Sequence, residues 1–370
     1  MNISLKTQES PAGDVISPGL EGVVAAETVL SHVDGAAGRL ILRGHDLEQL
    51  DGWSFERVLA LLWRDLAPEN AGEAEIRARL GAARVRAFER MQPALAALAA
   101  LSTVEGLRLL LSLLPDSETE SHHLVAVASV PVFAAAIARR HQGLEPVRPD
   151  PDRGQADDFL TMLHGVSQSP GNVRALDTYL VTVADHGLNA STFAARVIAS
   201  TKAGLFSSVI GGLCALKGPL HGGAPGPVLD MLDAIGDADN IRPWLIQALD
   251  RGERLMGFGH RIYRVRDPRA DALKRAVAGL DDPGVRIGFA EKVEREALAL
   301  LAARKPDRPL ETNVEFFTAL VLEAVGFPRD SFTNVFAAGR MAGWTAHVLE
   351  QERAARLIRP QSRYVGPVPD

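Results

Sequence analysis

Three short segments of the chain set a titratable side chain among glycines, prolines or aromatics: Lys217-Gly-Pro-Leu-His221-Gly-Gly-Ala-Pro225, Met256-Gly-Phe-Gly-His260-Arg-Ile-Tyr263 and Asn313-Val-Glu315-Phe-Phe317. Gly222 and Gly223 have no side chain to hold a ligand off the backbone, and Pro219 and Pro225 fix the angles at which the chain arrives and departs. A histidine placed in this way is presented rather than packed. One His-Gly pair alone is ordinary turn chemistry. Three such segments, offering two imidazoles and a carboxylate, form a candidate general acid–base site. A further histidine, His186 in Asp185-His-Gly-Leu-Asn189, precedes a helical stretch, where the partial positive charge of a helix N-terminus favours a neutral imidazole or a bound anion. Around His260, residues 251–275 hold Arg251, Arg254, Arg261, Arg264, Arg266, Arg269, Lys274 and Arg275 against Glu253, Asp267 and Asp271. In an acidic chain this basic run suits phosphate and carboxylate binding, although a solvated helix face would read the same way.

The elements that carry these segments read mostly as helices. Ser54 is a good N-cap for a helix with Val58, Leu59, Leu61 and Leu62 on one face. Helical periodicity continues over 73–91, 93–102, 105–113, 123–141, 190–202, 205–216, 268–278 and 289–301. The stretch 205–216 is apolar all round and predicts a fully buried helix delivering His221, with Cys214 as a small core residue. Asn313 caps a helix with Glu315 in its first turn, and a last helix over 333–353 brings Gly339 and Gly343 onto one face, with Arg340 between them. Weak alternation at Arg39-Leu-Ile-Leu-Arg43 predicts only minor β elements near the N-terminus.

Of the 370 residues, 46% are hydrophobic, 23% charged and only 5% aromatic, so a large core must be built from Ala, Leu and Val. A net charge of −6 predicts neither nucleic acid nor an anionic membrane as partner. A single cysteine excludes a disulfide framework and suits a reducing, cytoplasmic setting. No secretory signal is legible at the N-terminus, and the most apolar window, 124–138, falls short of the about 20 residues a bilayer crossing needs. The adjacent His122 and His123 point about 100° apart on a helix and have no third ligand spaced for them, so no metal is expected.

GPLHGGA, GFGHRIYRVRDPR and NVEFF, in this order, resemble the catalytic segments of citrate synthases. The similarity extends to Gly19–Thr28, to Ala184–Phe193, to Gly339-Arg-Met-Ala-Gly-Trp-Thr-Ala-His347 and to Ile358-Arg359-Pro, nearly the whole chain. The resemblance implies a mainly α, two-domain helical fold. Its large domain would be 1–221 with 321–370, used for dimerisation and oxaloacetate, and its small domain 222–320, used for coenzyme A. It implies that Glu315 is the base, His221 the donor to the thioester enol and His260 the donor to the ketone. His186, Arg269, Arg340 and Arg359 would hold oxaloacetate, with Arg359 on an arm that reaches the partner of a homodimer. Arg264 would face a coenzyme A phosphate, and the backbone at Leu255, Gly257 and Gly259 its adenine. Neither metal nor organic cofactor is implied.

The chain departs from the family's pattern in having Glu315 where an aspartate is usual, a side chain longer by about 1.5 Å. It also has Gly223-Ala-Pro-Gly-Pro-Val-Leu-Asp230 after the histidine, in place of a commoner version bearing asparagine and glutamate. An active, locally compensated citrate synthase is the first expectation. A 2-methylcitrate synthase using propionyl-CoA is the second, since one methyl group is worth only ~1–3 kcal/mol in a pocket. A catalytically silent paralogue that binds oxaloacetate or coenzyme A and acts as a regulatory or structural dimer partner would explain Glu315 but not the complete arginine set.

Overall fold

A computed structural model describes residues 17–68, 71–117, 121–221, 225–260, 262–263, 265–281, 284–306 and 310–367. Gly222, Gly223 and Arg264 lie outside the described residues. The chain forms a three-stranded antiparallel sheet, β1 (Ser31–Asp34), β2 (Arg39–Leu42) and β3 (His45–Asp46), with Ser31 paired to Leu42 and Ile41 to Asp46. All the rest of the regular structure described is helical: α1 (Phe55–Trp63), α2 (Glu73–Met91), α3 (Thr103–Leu111), α4 (His122–His141), α5 (Gln155–His164), α6 (Pro170–Val183), α7 (Ala190–Ser200), α8 (Leu205–Leu216), α9 (Pro225–Ile235), α10 (Ile241–Asp250), α11 (Pro268–Ala278), α12 (Gly284–Arg304), α13 (Val314–Ala324) and α14 (Phe332–Ala354). The segment read as helical over 93–102 is a 3-10 helix, Gln92–Ala100.

The predicted caps operate. Ser54 Oγ accepts from Arg57 N at 3.1 Å, and Asn313 Oδ1 from Glu315 N at 2.9 Å. Asn189 Oδ1 accepts from both Ser191 N and Thr192 N at 3.1 Å. Each satisfies backbone donors that a helix start leaves over.

α4 and α14 run through the core, and α14 packs on α4, α6, α7 and α8. By length and composition α4 could cross a membrane, which the 15-residue sequence window understated. In the fold, 83% of its apolar window is buried, as befits a core helix. The glycines of α14 let α6 come close: a Cβ at Gly343 would lie 2.5 Å from Ala184 O, and one at Gly339 would collide with Val183. Gly343 N instead donates to Ala184 O at 2.9 Å, fixing the segment that leads to His186.

Two sequence expectations are corrected. α8 is not buried all round: Leu205, Phe206, Val209, Leu213 and Leu216 face the core while Ser207 is exposed. Cys214 is exposed as well, because it lies on the same open side rather than in the core. α5, α6, α9 and α10 were not separately predicted. In α6 the reason is visible: Thr178, Val181, Thr182 and Val183 are weak helix formers, and burial of Leu176, Tyr179 and Leu180 keeps the segment helical.

Candidate active site

The Met256–Tyr263 and Asn313–Phe317 segments are clamped together by their backbones. Gly259 N donates to Glu311 O at 2.7 Å and Asn313 N to Gly257 O at 2.9 Å, while Asn313 Nδ2 reaches Gly259 O at 2.8 Å. Gly257 has φ +86°, and a Cβ there would come within 2.8 Å of Phe316 Cβ, so only glycine permits the approach. The loop that presents His260 is thereby tied to the helix that presents Glu315. Leu255, at the start of this loop, is a buried core side chain.

Asp267 organises the next layer. Its carboxylate caps α11 by accepting from Arg269 N at 3.0 Å, binds the Arg269 guanidinium at 3.0 Å through Nε and 2.8 Å through Nη2, and receives Val314 N at 3.3 Å. Asp267 and Arg269 are both buried. Burial opposes the Arg269 charge, but Asp267 more than offsets this and holds the guanidinium pKa above its usual range.

His260 Nδ1 accepts two backbone N–H groups, from Ile262 and Tyr263, both at 3.0 Å. A neutral ring bound in this way carries its proton on Nε2. That nitrogen lies 3.2 Å from Arg269 Nη2, so two donor groups converge where an anionic or carbonyl oxygen would be welcome. Burial first, and the Arg269 charge second, lower the His260 pKa to about 4. His186 is buried beside it, ring centroids 5.8 Å apart, with Nε2 3.3 Å from the Tyr263 hydroxyl. Burial, Arg269 and Arg340 hold the His186 pKa well below the ordinary imidazole range.

His221 is half-buried, and its Nε2 lies 2.8 Å from Ser191 Oγ. Ser191 Oγ also receives Trp344 Nε1 at 3.2 Å. Burial and the Arg340 charge lower the His221 pKa to about 4. Arg340 is 1% exposed and anchored by Nε to Val183 O at 2.8 Å. It is a buried cation, not the surface ion pair that its place on a helix could have meant. Glu315 is partly buried and faces Arg269, Asp267 and Arg340; burial raises its pKa to about 7 against the pull of the two arginines.

The structure therefore brings His186, His260, Arg269, Arg340 and Glu315 into one charged neighbourhood, with His221 joined to it through Arg340. A site of this kind can hold an anion while offering neutral imidazoles and a carboxylate that titrates near neutral pH. Arg359 lies apart, exposed on the arm after α14.

The citrate synthase, C-terminal domain family profile matches residues 19–361. The chain belongs to the citrate synthase family. Putative citrate synthase 2 of Mycobacterium tuberculosis is 40% identical over 358 residues, 95% of this chain and 93% of the relative. A 2-methylcitrate synthase of the same organism is 36% identical over 368 residues, 95% of this chain and 91% of its own length. The ternary complex of carboxymethyl coenzyme A and oxaloacetate with citrate synthase from Thermoplasma acidophilum superposes with a TM-score of 0.85 at 27% identity, covering 96% of this chain and 97% of that one. The mainly helical architecture with minor β elements is that of this family of acyltransferases.

Ser191, Asp267, Tyr263 and Trp344 were not singled out as site residues from sequence. Asp267 has one signal legible in the sequence, the Asp-Pro pair that ends a turn and starts the helix at Pro268, and that local role hides its grip on Arg269. Asp267→Asn is expected to lower the unfolding free energy by about 3–5 kcal/mol in denaturant titration, because the buried Arg269 loses its counter-charge. Adding Arg269→Gln should restore much of that loss; additive destabilisation by the second change would contradict the pairing.

Proposed function

We propose that this chain is a citrate synthase, condensing acetyl-CoA with oxaloacetate and water to give citrate and coenzyme A. The observation that carries the reading is the pairing of two imidazoles held neutral by burial and guanidinium charge with a carboxylate raised to about 7. Glu315 removes a proton from the acetyl methyl group while His221 donates to the thioester oxygen, giving the enol. Ser191 Oγ lies 2.8 Å from both Asn189 Oδ1 and His221 Nε2, and because the amide oxygen also accepts two backbone N–H groups, the proposed mechanism turns the hydroxyl proton from Asn189 to His221 Nε2 and leaves Nδ1–H as the donor. The enol carbon attacks the ketone of oxaloacetate, and His260 passes its Nε2 proton to the ketone oxygen as the new C–C bond forms. Water then cleaves the C–S bond of the resulting thioester.

Arg269, Arg340 and His186 hold the oxaloacetate carboxylates, in keeping with their burial around His260. Arg359 completes the set from the partner of a homodimer, since it projects from an exposed arm. Arg264 and the backbone at Leu255, Gly257 and Gly259 serve coenzyme A. No metal or organic cofactor takes part; the acyl-CoA is a substrate. The site lies between a large domain, 1–221 with 321–370, and a small domain, 222–320, although the boundary at 320 falls inside α13. The single cysteine suits a cytoplasmic enzyme. Propionyl-CoA is the alternative acyl donor, supported by the 2-methylcitrate synthase relative; steady-state assays with each donor separate the two.

Glu315→Gln should abolish turnover while leaving oxaloacetate affinity within about twofold, because the amide keeps the shape and loses the proton acceptor. Glu315→Asp should lower kcat by roughly 10²-fold through withdrawal of the carboxylate. In the wild type kcat/KM for the acyl-CoA should fall as pH drops through about 7, where Glu315 of the free enzyme takes up its proton. Full turnover in Glu315→Gln would show that another group is the base.

The shared site has its own test. Arg359→Ala and Glu315→Gln should each be inactive alone, yet mixed chains should recover about a quarter of wild-type activity, since half the dimers are hybrids with one intact site. No recovery after verified subunit exchange would place Arg359 outside the partner's site.

A further inference from the structure

Tyr179 stands on α6, one turn before Val183, the residue whose carbonyl oxygen anchors Arg340. Its side chain is fully buried, and its hydroxyl meets no hydrogen-bonding group among the described residues. A buried phenol ordinarily finds a partner, because enclosure deprives it of water. α6 packs against both α13 and α14, and the charged groups on those helices whose fields reach the hydroxyl are Glu315 and Arg340. Arg340 is already fixed by Val183, whereas Glu315 is only partly buried. Its three side-chain torsions let the carboxylate turn toward a phenol that cannot itself move. An aspartate, shorter by about 1.5 Å, has less reach.

We propose that Tyr179 is a positioning residue for the catalytic base: in the occupied cleft its hydroxyl donates to a Glu315 oxygen, fixing the longer carboxylate against the thioester methyl group. This rests on the reading of Glu315 as the base. The phenol remains a donor, since burial holds its pKa well above the ordinary value. A hydrogen bond to the ionised carboxylate favours that form over the acid. It works with Arg269 and Arg340 against burial and Asp267, the other influences on Glu315.

The test is the pH dependence of kcat in Tyr179→Phe, at saturating oxaloacetate and acyl-CoA. The acidic limb is expected to move up by about one pH unit, lowering kcat about tenfold below it, with the KM for oxaloacetate within about twofold. In the Glu315→Asp background the same change should barely move the limb. If Tyr179→Phe does not fold, 3-fluorotyrosine at position 179 keeps the shape and strengthens the donor, and should move the limb down. An unmoved limb in the folded phenylalanine or fluorotyrosine variant overturns the proposal, as does a raised KM for oxaloacetate with an unmoved limb, which would assign the phenol to the dianion. Turnover surviving in Glu315→Gln would instead refute the reading of the base.

Discussion

The geometry of the candidate site depends on the ion pair between Asp267 and Arg269. Taking both groups out of water is costly, and such a pair is seldom a net source of stability. Its value here is positional. One carboxylate caps α11, grips the guanidinium through two nitrogens and takes the first N–H of α13, so the cation and the helix bearing Glu315 share a single anchor. The field of that fixed cation reaches both His260 and Glu315. It lowers the pKa of His260 and, with Arg340, restrains the rise of Glu315 that burial would otherwise cause.

Arg340 repeats the principle on α14. It is buried on α14 because Gly339 and Gly343 let α6 approach closely enough for the Val183 carbonyl to accept its Nε. Its charge lowers the pKa of His221, as that of Arg269 does for His260. Buried cations beside buried imidazoles leave the imidazoles neutral, and a neutral ring is a directional donor whose free nitrogen is set by what the other nitrogen touches. Backbone N–H groups decide this for His260; at His221 it turns on whether the Ser191 proton goes to the imidazole or to Asn189 Oδ1, both 2.8 Å from Oγ.

Much of this was legible in the sequence, for physical reasons. His221, His260 and Glu315 sit where glycine, proline or an asparagine cap forces the backbone to present them, and such constraints are local. Arg340 was legible because a charge between two glycines at helical spacing has no comfortable surface role. Asp267 grips Arg269 only two residues on, but the Asp-Pro helix start accounts for it locally and hides that pairing, while Ser191 acts through His221 and Trp344, distant in sequence, and Tyr179 through an unmet hydroxyl that no local pattern marks. Cys214 misled for the same reason: an apolar run predicts burial, but which side of α8 is covered is decided by α7 and α14.

Nitrogen-15 NMR of the imidazole rings, assigned with His221→Gln and His260→Gln variants, tests the central claim that both histidines are neutral donors. At pH 7 His260 should carry one proton, on Nε2, and His221 one proton, on Nδ1. Neither should titrate until the pH approaches about 4. An imidazolium signal from either ring at pH 7, or the opposite tautomer at His260, would contradict the account.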